Sequence, residues 1–304
     1  MSNRRGFILL LVVVVLIGAA AVLSVTSLSV RLQAMDISTS ADLAQIRAAG
    51  NAVLARAVLG LDDDPPLYPD GRQYSFAING VQANYRIIDT SGLVDLNGAE
   101  VPLLAALFER LGQSAPDAEA LAAAIIDWRD PDDEPQERGA EKRAYRSAGL
   151  PEPGNRPFLD VSEARGVLGM NAVLYAAAAP YLTAGKGRKT PAAQFAPPLV
   201  LDILDVDPAK RRDILERRRA GEPLTDENAA IARPARAATK LKSNPAGRYI
   251  LLVEAHRPGG AQSAMRINFS TGPRPGDYAI LSWRTEPYGR ADALYDAGSQ
   301  DVAF

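Results

Sequence analysis

Residues 1–30 read MSNRRGFILLLVVVVLIGAAAVLSVTSLSV, and the run from Phe7 to Val30 contains neither a charged residue nor a proline. A helix rises about 1.5 Å per residue, so a run of this length crosses the ~30 Å hydrocarbon core of a bilayer. Arg4 and Arg5 precede the run, and basic flanks are retained on the cytoplasmic side of a membrane. The sequence therefore predicts a single-pass transmembrane helix over residues 7–30, with the N-terminus cytoplasmic and the rest exported.

A cleaved secretory signal peptide is the alternative interpretation of the same segment, because it also combines a basic start with an apolar core. The apolar run is longer than the usual signal core of about 7–15 residues. Its far end, from Ser27 to Arg31, continues into a helical pattern and contains no A-x-A cleavage site. These two features favour a retained anchor.

The composition is that of a folded protein with one membrane helix. Of the 304 residues, 47% are hydrophobic and 23% are charged, which does not indicate bulk disorder. The formal net charge of −2 gives no general attraction to nucleic acid or anionic lipid. Cysteine is absent from the sequence, which excludes disulfides and thiolate metal sites.

Beyond the anchor, the hydrophobic periodicity changes from helical to strand-like. Residues 35–59 carry an apolar stripe at helical spacing, which predicts that the second half of one long helix lies against a folded domain. Residues 73–89 alternate apolar and polar side chains around Asn79-Gly80, the strongest short hairpin signal. The pattern predicts a helix followed by an antiparallel hairpin.

The rest of the chain divides into a helical part and a second group of strands. Residues 92–183 contain several segments with helical spacing and predict an inserted helical subdomain. Pro208 at a first helical position predicts a helix over residues 207–219, whose basic end is interpreted as a solvated face. Residues 249–255, 265–269 and 278–283 predict three antiparallel strands that share a sheet with the early hairpin. The predicted fold class is therefore α+β.

Carboxylates are concentrated after the apolar helix that ends near Trp128. The segment Asp127-Trp128-Arg129-Asp130-Pro131-Asp132-Asp133-Glu134-Pro135 is followed by Glu137 and Glu141. Hard cations such as Ca²⁺ take about 6–8 oxygen ligands, and bound calcium would offset the mutual repulsion of these groups. The register of an EF-hand is absent. From spacing alone, a metal site and a solvated acidic loop both remain open.

Several motifs together resemble one known family. The junction Arg4-Arg5-Gly6-Phe7 resembles the site at which prepilin peptidase cleaves pilins and pseudopilins and methylates the new N-terminal phenylalanine. Most of that superfamily has glutamate at the fifth mature position, where this chain has Leu11; the K-type minor pseudopilin of type II secretion characteristically lacks it. Further motifs in the same order as in that family are Asp89-Thr90-Ser91-Gly92-Leu93-Val94-Asp95-Leu96-Asn97, Asp127 to Asp133, Gly139-Ala140-Glu141, Tyr145, Asn155-Arg156-Pro157-Phe158, Val161-Ser162-Glu163 and Val167-Leu168-Gly169-Met170.

The resemblance implies a fold with defined segments. The transmembrane helix would continue into a pilin-like α/β domain with an antiparallel sheet, carrying an inserted all-helical subdomain. The implied segments are a prepilin leader (1–6), the transmembrane helix (7–30), the first part of the pilin-like domain (31–91), the inserted helical domain (92–183), the second part of the pilin-like domain (184–284) and a C-terminal tail (285–304).

The resemblance also implies a role, sites and partners. The protein would be a non-enzymatic subunit at the tip of the type II secretion pseudopilus, anchored in the bacterial inner membrane with most of its chain in the periplasm. Processing would occur between Gly6 and Phe7. The implied partners are the I-type and J-type minor pseudopilins and prepilin peptidase, with no nucleic acid. The implied Ca²⁺ ligands are Asp130, Asp132, Asp133 and Glu141, with Asp127 and Glu137 as further candidates.

Other functions receive less support from the sequence. A minor subunit of a type IV pilus or competence system is the alternative closest to the main interpretation. Val161 to Met170 resembles half of a helix-hairpin-helix element, but only Arg165 is basic within it, and DNA binding usually enlists more basic side chains. A hydrolase would require distant groups around His256, the single histidine, and the sequence contains no G-x-S-x-G motif.

Overall fold

The computed structural model describes residues 41–63, 66–222, 224 and 247–286. The predicted leader, the transmembrane segment and Leu11 lie outside the described residues, as does the tail from residue 287. Among the helices within the described ranges, none is both long and apolar enough to cross a membrane.

A five-stranded antiparallel sheet forms one half of the structure. Its strand order is β1-β2-β5-β6-β7, and helix α1, residues 41–60, packs on one face. The buried residues of α1 recur at helical spacing, as the sequence pattern predicted. The strands are β1 (Asp70–Ile78), β2 (Val81–Asp89), β5 (Arg248–His256), β6 (Gln262–Thr271) and β7 (Tyr278–Glu286). The predicted sheet shared by the hairpin and the three late strands is confirmed.

The β1–β2 hairpin turns at Asn79 and Gly80, which have φ angles of 50° and 76°. A two-residue hairpin loop with positive φ at both central positions matches the right-handed twist of the strands, and Asn-Gly tolerates these angles best. The local sequence therefore fixes the register in which Ile78 pairs with Val81.

The helical part is inserted between strands that are neighbours in the sheet. β2 pairs directly with β5, although all the described elements from β3 to α7 lie between them in sequence. These elements are β3 (Val94–Asp95), α2 (Val101–Arg110), α3 (Ala115–Arg129), α4 (Lys142–Ser147), α5 (Ala172–Ala178), β4 (Leu182–Thr183), α6 (Pro198–Ile203) and α7 (Pro208–Ala220), with short 3₁₀ segments at Thr90–Gly92, Val161–Gly166 and Ala179–Tyr181.

The core of the helical part extends beyond residue 183, where the sequence analysis ended the insertion. Val200 and Leu201 of α6 and Ile214 of α7 are buried in the same hydrophobic cluster as α2 and α3. The basic end of α7 is also less solvated than predicted. Arg218 is only 8% exposed and donates hydrogen bonds to the backbone oxygens of Ala196 and Gln194.

The buried carboxylate of Asp95 connects the segment that follows β3 with the segment that follows β4. Its Oδ1 accepts hydrogen bonds from the backbone N–H groups of Asn97 and Gly185, both at 2.9 Å. Its Oδ2 accepts from the backbone N–H groups of Gly187 (2.9 Å) and Arg188 (2.8 Å). Asp95 is only 2% exposed, so these four donors replace the water that an ionised carboxylate requires.

We predict that Asp95→Asn lowers the free energy of unfolding by about 3 kcal/mol, because the new amide NH₂ would face backbone N–H donors in place of accepting from them. Chemical denaturation of the purified chain measures the change. Asp117→Asn, in the exposed first turn of α3, is the control and should cost less than about 1 kcal/mol. Equal losses in the two variants would contradict the role assigned to Asp95.

Candidate metal centre

The acidic segment begins at the C-terminal end of α3. The N-terminal cap and the buried side chains of α3 fix the position of this helix. Ser114 caps the helix by accepting a hydrogen bond from the N–H of Asp117. Leu121, Ile125 and Trp128 are buried in the helical core, and the Trp128 ring stacks on Phe158 with centroids 5.9 Å apart. Helix α3 ends at Arg129 with Asp130 as its C-cap, so the acidic segment starts directly at the end of a helix that is packed in the core.

Three of the four predicted metal ligands converge. One carboxylate oxygen from each of Asp130, Asp132 and Glu141 lies within 4.8 Å of the other two. Asp132 is exposed, Asp130 is half-buried, and Glu141 is 6% exposed immediately before α4. The arrangement combines one solvent-facing carboxylate with two that are progressively more buried, which leaves an access path from solvent.

The buried oxygens of this cluster lack hydrogen-bond donors. Both carboxylate oxygens of Glu141 and Oδ1 of Asp130 are buried and have no hydrogen-bond partner. Burial raises the pKa of Glu141 to about 7, and the negative charges of Asp127, Asp130 and Asp133 contribute in the same direction. Burial, followed by the charges of Asp132 and Asp127, also raises the pKa of Asp130. The charge of Arg129 lowers the pKa of Asp130, but burial and the two aspartates have larger effects.

Asp127 organises the loop that carries these ligands. It is fully buried, and its Oδ1 accepts a hydrogen bond of 3.0 Å from the backbone N–H of Gln136. The loop passes so close that a Cβ atom on Gly139 would lie 2.0 Å from Asp127 Oδ2. Burial raises the pKa of Asp127, although backbone donors at Gln136 and Ala140 oppose this effect. Asp127 thus holds the loop between Asp132 and Glu141 against the helix end.

The structure places the fourth predicted ligand, Asp133, in a different environment. Its carboxylate forms an ion pair with Lys142 Nζ at 2.7 Å and accepts a hydrogen bond of 3.0 Å from Asn155 Nδ2. These hydrogen bonds lower the pKa of Asp133. Asp133 is therefore outside the group of three converging carboxylates. Glu137 is exposed and also lies outside that group.

Asn155 is a supporting residue whose role the sequence analysis did not assign. Its amide donates 2.8 Å to the backbone oxygen of Asp132 as well as to the Asp133 side chain. It adopts a positive φ of 41°, which asparagine tolerates better than most residues. The sequence marked Asn155 only as part of the Asn155-Arg156-Pro157-Phe158 motif. That motif does not reveal that Asn155 contacts a loop 22 residues earlier.

Hard oxygen donors of this kind suit Ca²⁺ better than a transition metal. The residues that could hold the ion are three carboxylates, and histidine and cysteine do not contribute. Carboxylate oxygens are the ligands that Ca²⁺ prefers, and the buried oxygens without donors are placed where an ion would satisfy them. The residues present therefore fit calcium, which would supply structural charge neutralisation rather than catalysis.

Comparison with known proteins finds relatives of the helical part. Residues 78–187 match the family described as Type II secretion system (T2SS), protein K. A protein from Klebsiella pneumoniae named Type II secretion system protein K is 32% identical over 209 residues, 60% of this chain and 64% of the relative. A protein of the same name from Dickeya chrysanthemi is 39% identical over 87 residues, 27% of this chain and 24% of the relative. The resemblance predicted from the motifs is confirmed.

A solved structure shares the fold. It is the crystal structure of the GspK-GspI-GspJ complex from the enterotoxigenic Escherichia coli type 2 secretion system, in which one chain matches with a TM-score of 0.58 and 19% identity. The match covers 79% of this chain and 94% of that chain. The chain spans between about a quarter and just under two thirds of the length of the curated relatives it matches.

The raised pKa of Glu141 predicts how the stability of the metal-free protein depends on pH. An acid whose pKa is raised from 4.5 to about 7 by folding keeps its proton to a higher pH in the folded state than in the unfolded state. The free energy of unfolding should therefore fall as pH rises from about 4.5 to about 7, by up to about 3 kcal/mol. Glu141→Gln should flatten this decline, as measured by denaturation in a chelator across the pH range. An unchanged slope in the variant would contradict the assignment.

Proposed function

We propose, on the premise that residues 78–187 form a type II secretion system protein K domain, that this protein is a non-enzymatic minor pseudopilin. It would join the tip of the type II secretion pseudopilus and help to initiate or cap its assembly. Its location would be the bacterial inner membrane, single-pass, with the N-terminus cytoplasmic and most of the chain periplasmic. The observation that carries the proposal is the match of residues 78–187 to the protein K family, in a chain whose helical part is inserted between neighbouring strands of an antiparallel sheet that packs on a helix.

The size of the insertion supports a terminal position. It leaves the sheet between Asp89 and Arg248 and has a hydrophobic core of its own, so it projects as a second folded mass beside the α1–sheet unit. Such a mass suits a fibre end, where neighbours pack on fewer sides than in the shaft. Leu11 supports the same position, because it offers no carboxylate to neutralise the N-terminal amine of another subunit in an apolar bundle.

The proposed partners are the I-type and J-type minor pseudopilins. The solved relative of this fold is present in a complex with GspI and GspJ. We extend that association to the corresponding subunits of this protein's own system.

The N-terminal part of the proposal concerns processing by prepilin peptidase. The basic-Gly-Phe junction at Gly6 and Phe7 supports cleavage between these residues and methylation of the new terminus. Intact mass of the membrane-extracted protein should correspond to a methylated chain that starts at Phe7. An unprocessed Met1 start in cells with active peptidase would contradict this part of the proposal.

We also propose a structural Ca²⁺ site formed by Asp130, Asp132 and Glu141. The convergence of their oxygens and the missing donors at Glu141 support it. Asp133 is excluded from this proposed ligand set, because its carboxylate already has Lys142 and Asn155 as partners. The ion would tie the end of α3 to the start of α4.

Calcium should raise the melting temperature of the purified chain. A ligand that binds only the folded state at roughly 100 times its Kd adds about 2.7 kcal/mol, which corresponds to about 5–10 °C for a protein of this size. Asp132→Asn should abolish most of the rise, whereas Asp133→Asn should retain it, because only Asp132 belongs to the converging group. Thermal melts with calcium, magnesium or chelator make the measurement.

Two outcomes would contradict the calcium proposal. Wild-type protein that melts at the same temperature with and without millimolar calcium would leave the cluster a solvated acidic loop. Equal loss of the calcium effect in both aspartate variants would show that Asp133 is also a ligand, which contradicts the proposed set of three.

Assembly with other minor pseudopilins tests the proposed function directly. Coexpression with the I-type and J-type subunits of the same system should give a complex that co-purifies at equal stoichiometry. The major subunit, which forms the shaft, is the control bait and should retain much less of this protein. Immunogold labelling should find the protein at one end of each fibre. Labelling along the shaft, or binding to DNA in place of these subunits, would favour a type IV pilus or competence subunit.

A further inference from the structure

A cleft of about 930 Å³ lies between the helical part and the face of the sheet opposite α1. Three neighbouring strands contribute one arginine each: Arg248 from β5, Arg266 from β6 and Arg284 from β7. Arg165 lines the cleft from the helical part. The acidic side chains among the lining residues are Asp160 and Glu286, so arginines outnumber carboxylates by two to one.

The register concentrates these charges. Arg266 pairs directly with Arg284 across the β6–β7 ladder, and like charges directly opposite each other destabilise a sheet. Asp160 lies 3.7 Å from Arg284 and offsets part of this repulsion. Within the described part of the chain, the side chain of Arg266 has no hydrogen bond or ion pair. Arg165 stacks over the ring of Tyr175 at 4.3 Å rather than pairing with a carboxylate. The cleft is therefore poised to accept additional carboxylates.

Strand β7 forms the rim of this cleft and an edge of the sheet. Residues 278–283 contain neither a charge nor a proline, although edge strands usually carry such residues to prevent unwanted pairing. Tyr278 and Ile280 are each 47% exposed and share the α1 face, since Ile280 pairs with the core residue Phe269. The side chain of Leu59, 58% exposed at the end of α1, lies beside the β6–β7 turn.

The two faces of β7 consequently differ in chemistry. The α1 face presents exposed apolar side chains at Tyr278 and Ile280. An irregularity in the β6–β7 register between Ile280 and Ser282 reverses the side-chain parity of β7, so Arg284 lies on the opposite face with Arg266 behind it. An added strand would place alternate side chains on these two faces, because strand side chains alternate with a period of two. A segment that matches both faces would therefore alternate apolar and acidic residues along its sequence.

We propose that β7 and the arginine-lined cleft form a docking surface for an extended segment of a protein partner, which adds to the sheet as a sixth strand. Its acidic side chains pair with Arg266 and Arg284, and its apolar side chains cover Tyr278 and Ile280. A polyanion such as nucleic acid fits this surface less well, because its charged backbone offers no apolar side chains to cover Tyr278 and Ile280. The proposal goes beyond the assembly proposed above and holds for any partner with such a segment.

A pair of synthetic peptides tests the surface on the purified full chain in detergent. A fluorescent peptide that alternates glutamate and valine over eight residues should bind, with an affinity that falls as salt rises. A peptide of the same composition in two blocks, and one that alternates lysine and valine, should bind at least tenfold more weakly. Hydrogen exchange should slow at the amides of residues 278–286 when the alternating glutamate peptide is bound.

Charge variants distinguish docking from a general loss of structure. Arg266→Glu combined with Arg284→Glu should weaken binding of the glutamate peptide at least tenfold and should strengthen binding of the lysine peptide, which a folding defect would not do. Arg212→Glu, at an exposed position of α7, is the charge-matched control and should leave both affinities unchanged. Melting temperatures establish that the variants fold.

Three outcomes would overturn the proposal. Failure of the wild-type chain to bind the alternating glutamate peptide is the first. Binding that persists in the double arginine variant, or that leaves exchange at β7 unchanged, would place the peptide elsewhere. Binding that occurs only after residues 287–304 are removed would make the chain's own tail, rather than a partner, the occupant of the surface.

Discussion

The buried carboxylate of Asp95 is the constraint on which the helical part depends. It gathers backbone donors from both sides of the β3–β4 pair, residues that are about 90 positions apart in sequence. The same region anchors α3, because Arg129 donates hydrogen bonds to the backbone oxygens of Leu96 and Ala99. Arg129 immediately precedes Asp130, so the position of the first proposed metal ligand follows from the fold around Asp95.

The buried carboxylates Asp95 and Glu141 differ in their hydrogen-bond donors. This difference distinguishes a structural carboxylate from a candidate metal ligand. Each oxygen of Asp95 receives two backbone N–H donors, which satisfy the charge within the protein. Both oxygens of Glu141 receive none, and three other carboxylates contribute to the rise in its pKa. An unpaired carboxylate costs free energy in a protein interior unless a proton or a cation compensates it. Ionised Glu141 therefore destabilises the helical part as long as no cation compensates its charge.

Local sequence rules predicted the elements whose causes are local. The Asn79-Gly80 turn and the start of α7 at Pro208, capped by Asp207, follow from backbone preferences of a few residues. The spacing of the acidic residues left a metal site and a solvated loop open, and the family resemblance implied four ligands, of which three converge. The separation of Asp133 could not be predicted, because it depends on Lys142 and Asn155, which come from α4 and from a later loop. The burial of Arg218 was missed for a similar reason, since its backbone acceptors at residues 193, 194 and 196 lie in a different segment.

The position of the insertion explains how one chain can carry two folded masses without weakening its sheet. β2 and β5 pair from Gln82 with His256 to Asp89 with Tyr249 without a break in register. The helical part leaves and rejoins the sheet at one end of this ladder, where the Thr90 hydroxyl donates to the backbone oxygen of Arg248 at 3.0 Å. Helix α1 covers one face and the helical part stands against the other, so the long edge at β7 is a surface that neither of them pairs. An insertion at a strand end, rather than at an edge, thus leaves the β7 edge unpaired among the described residues.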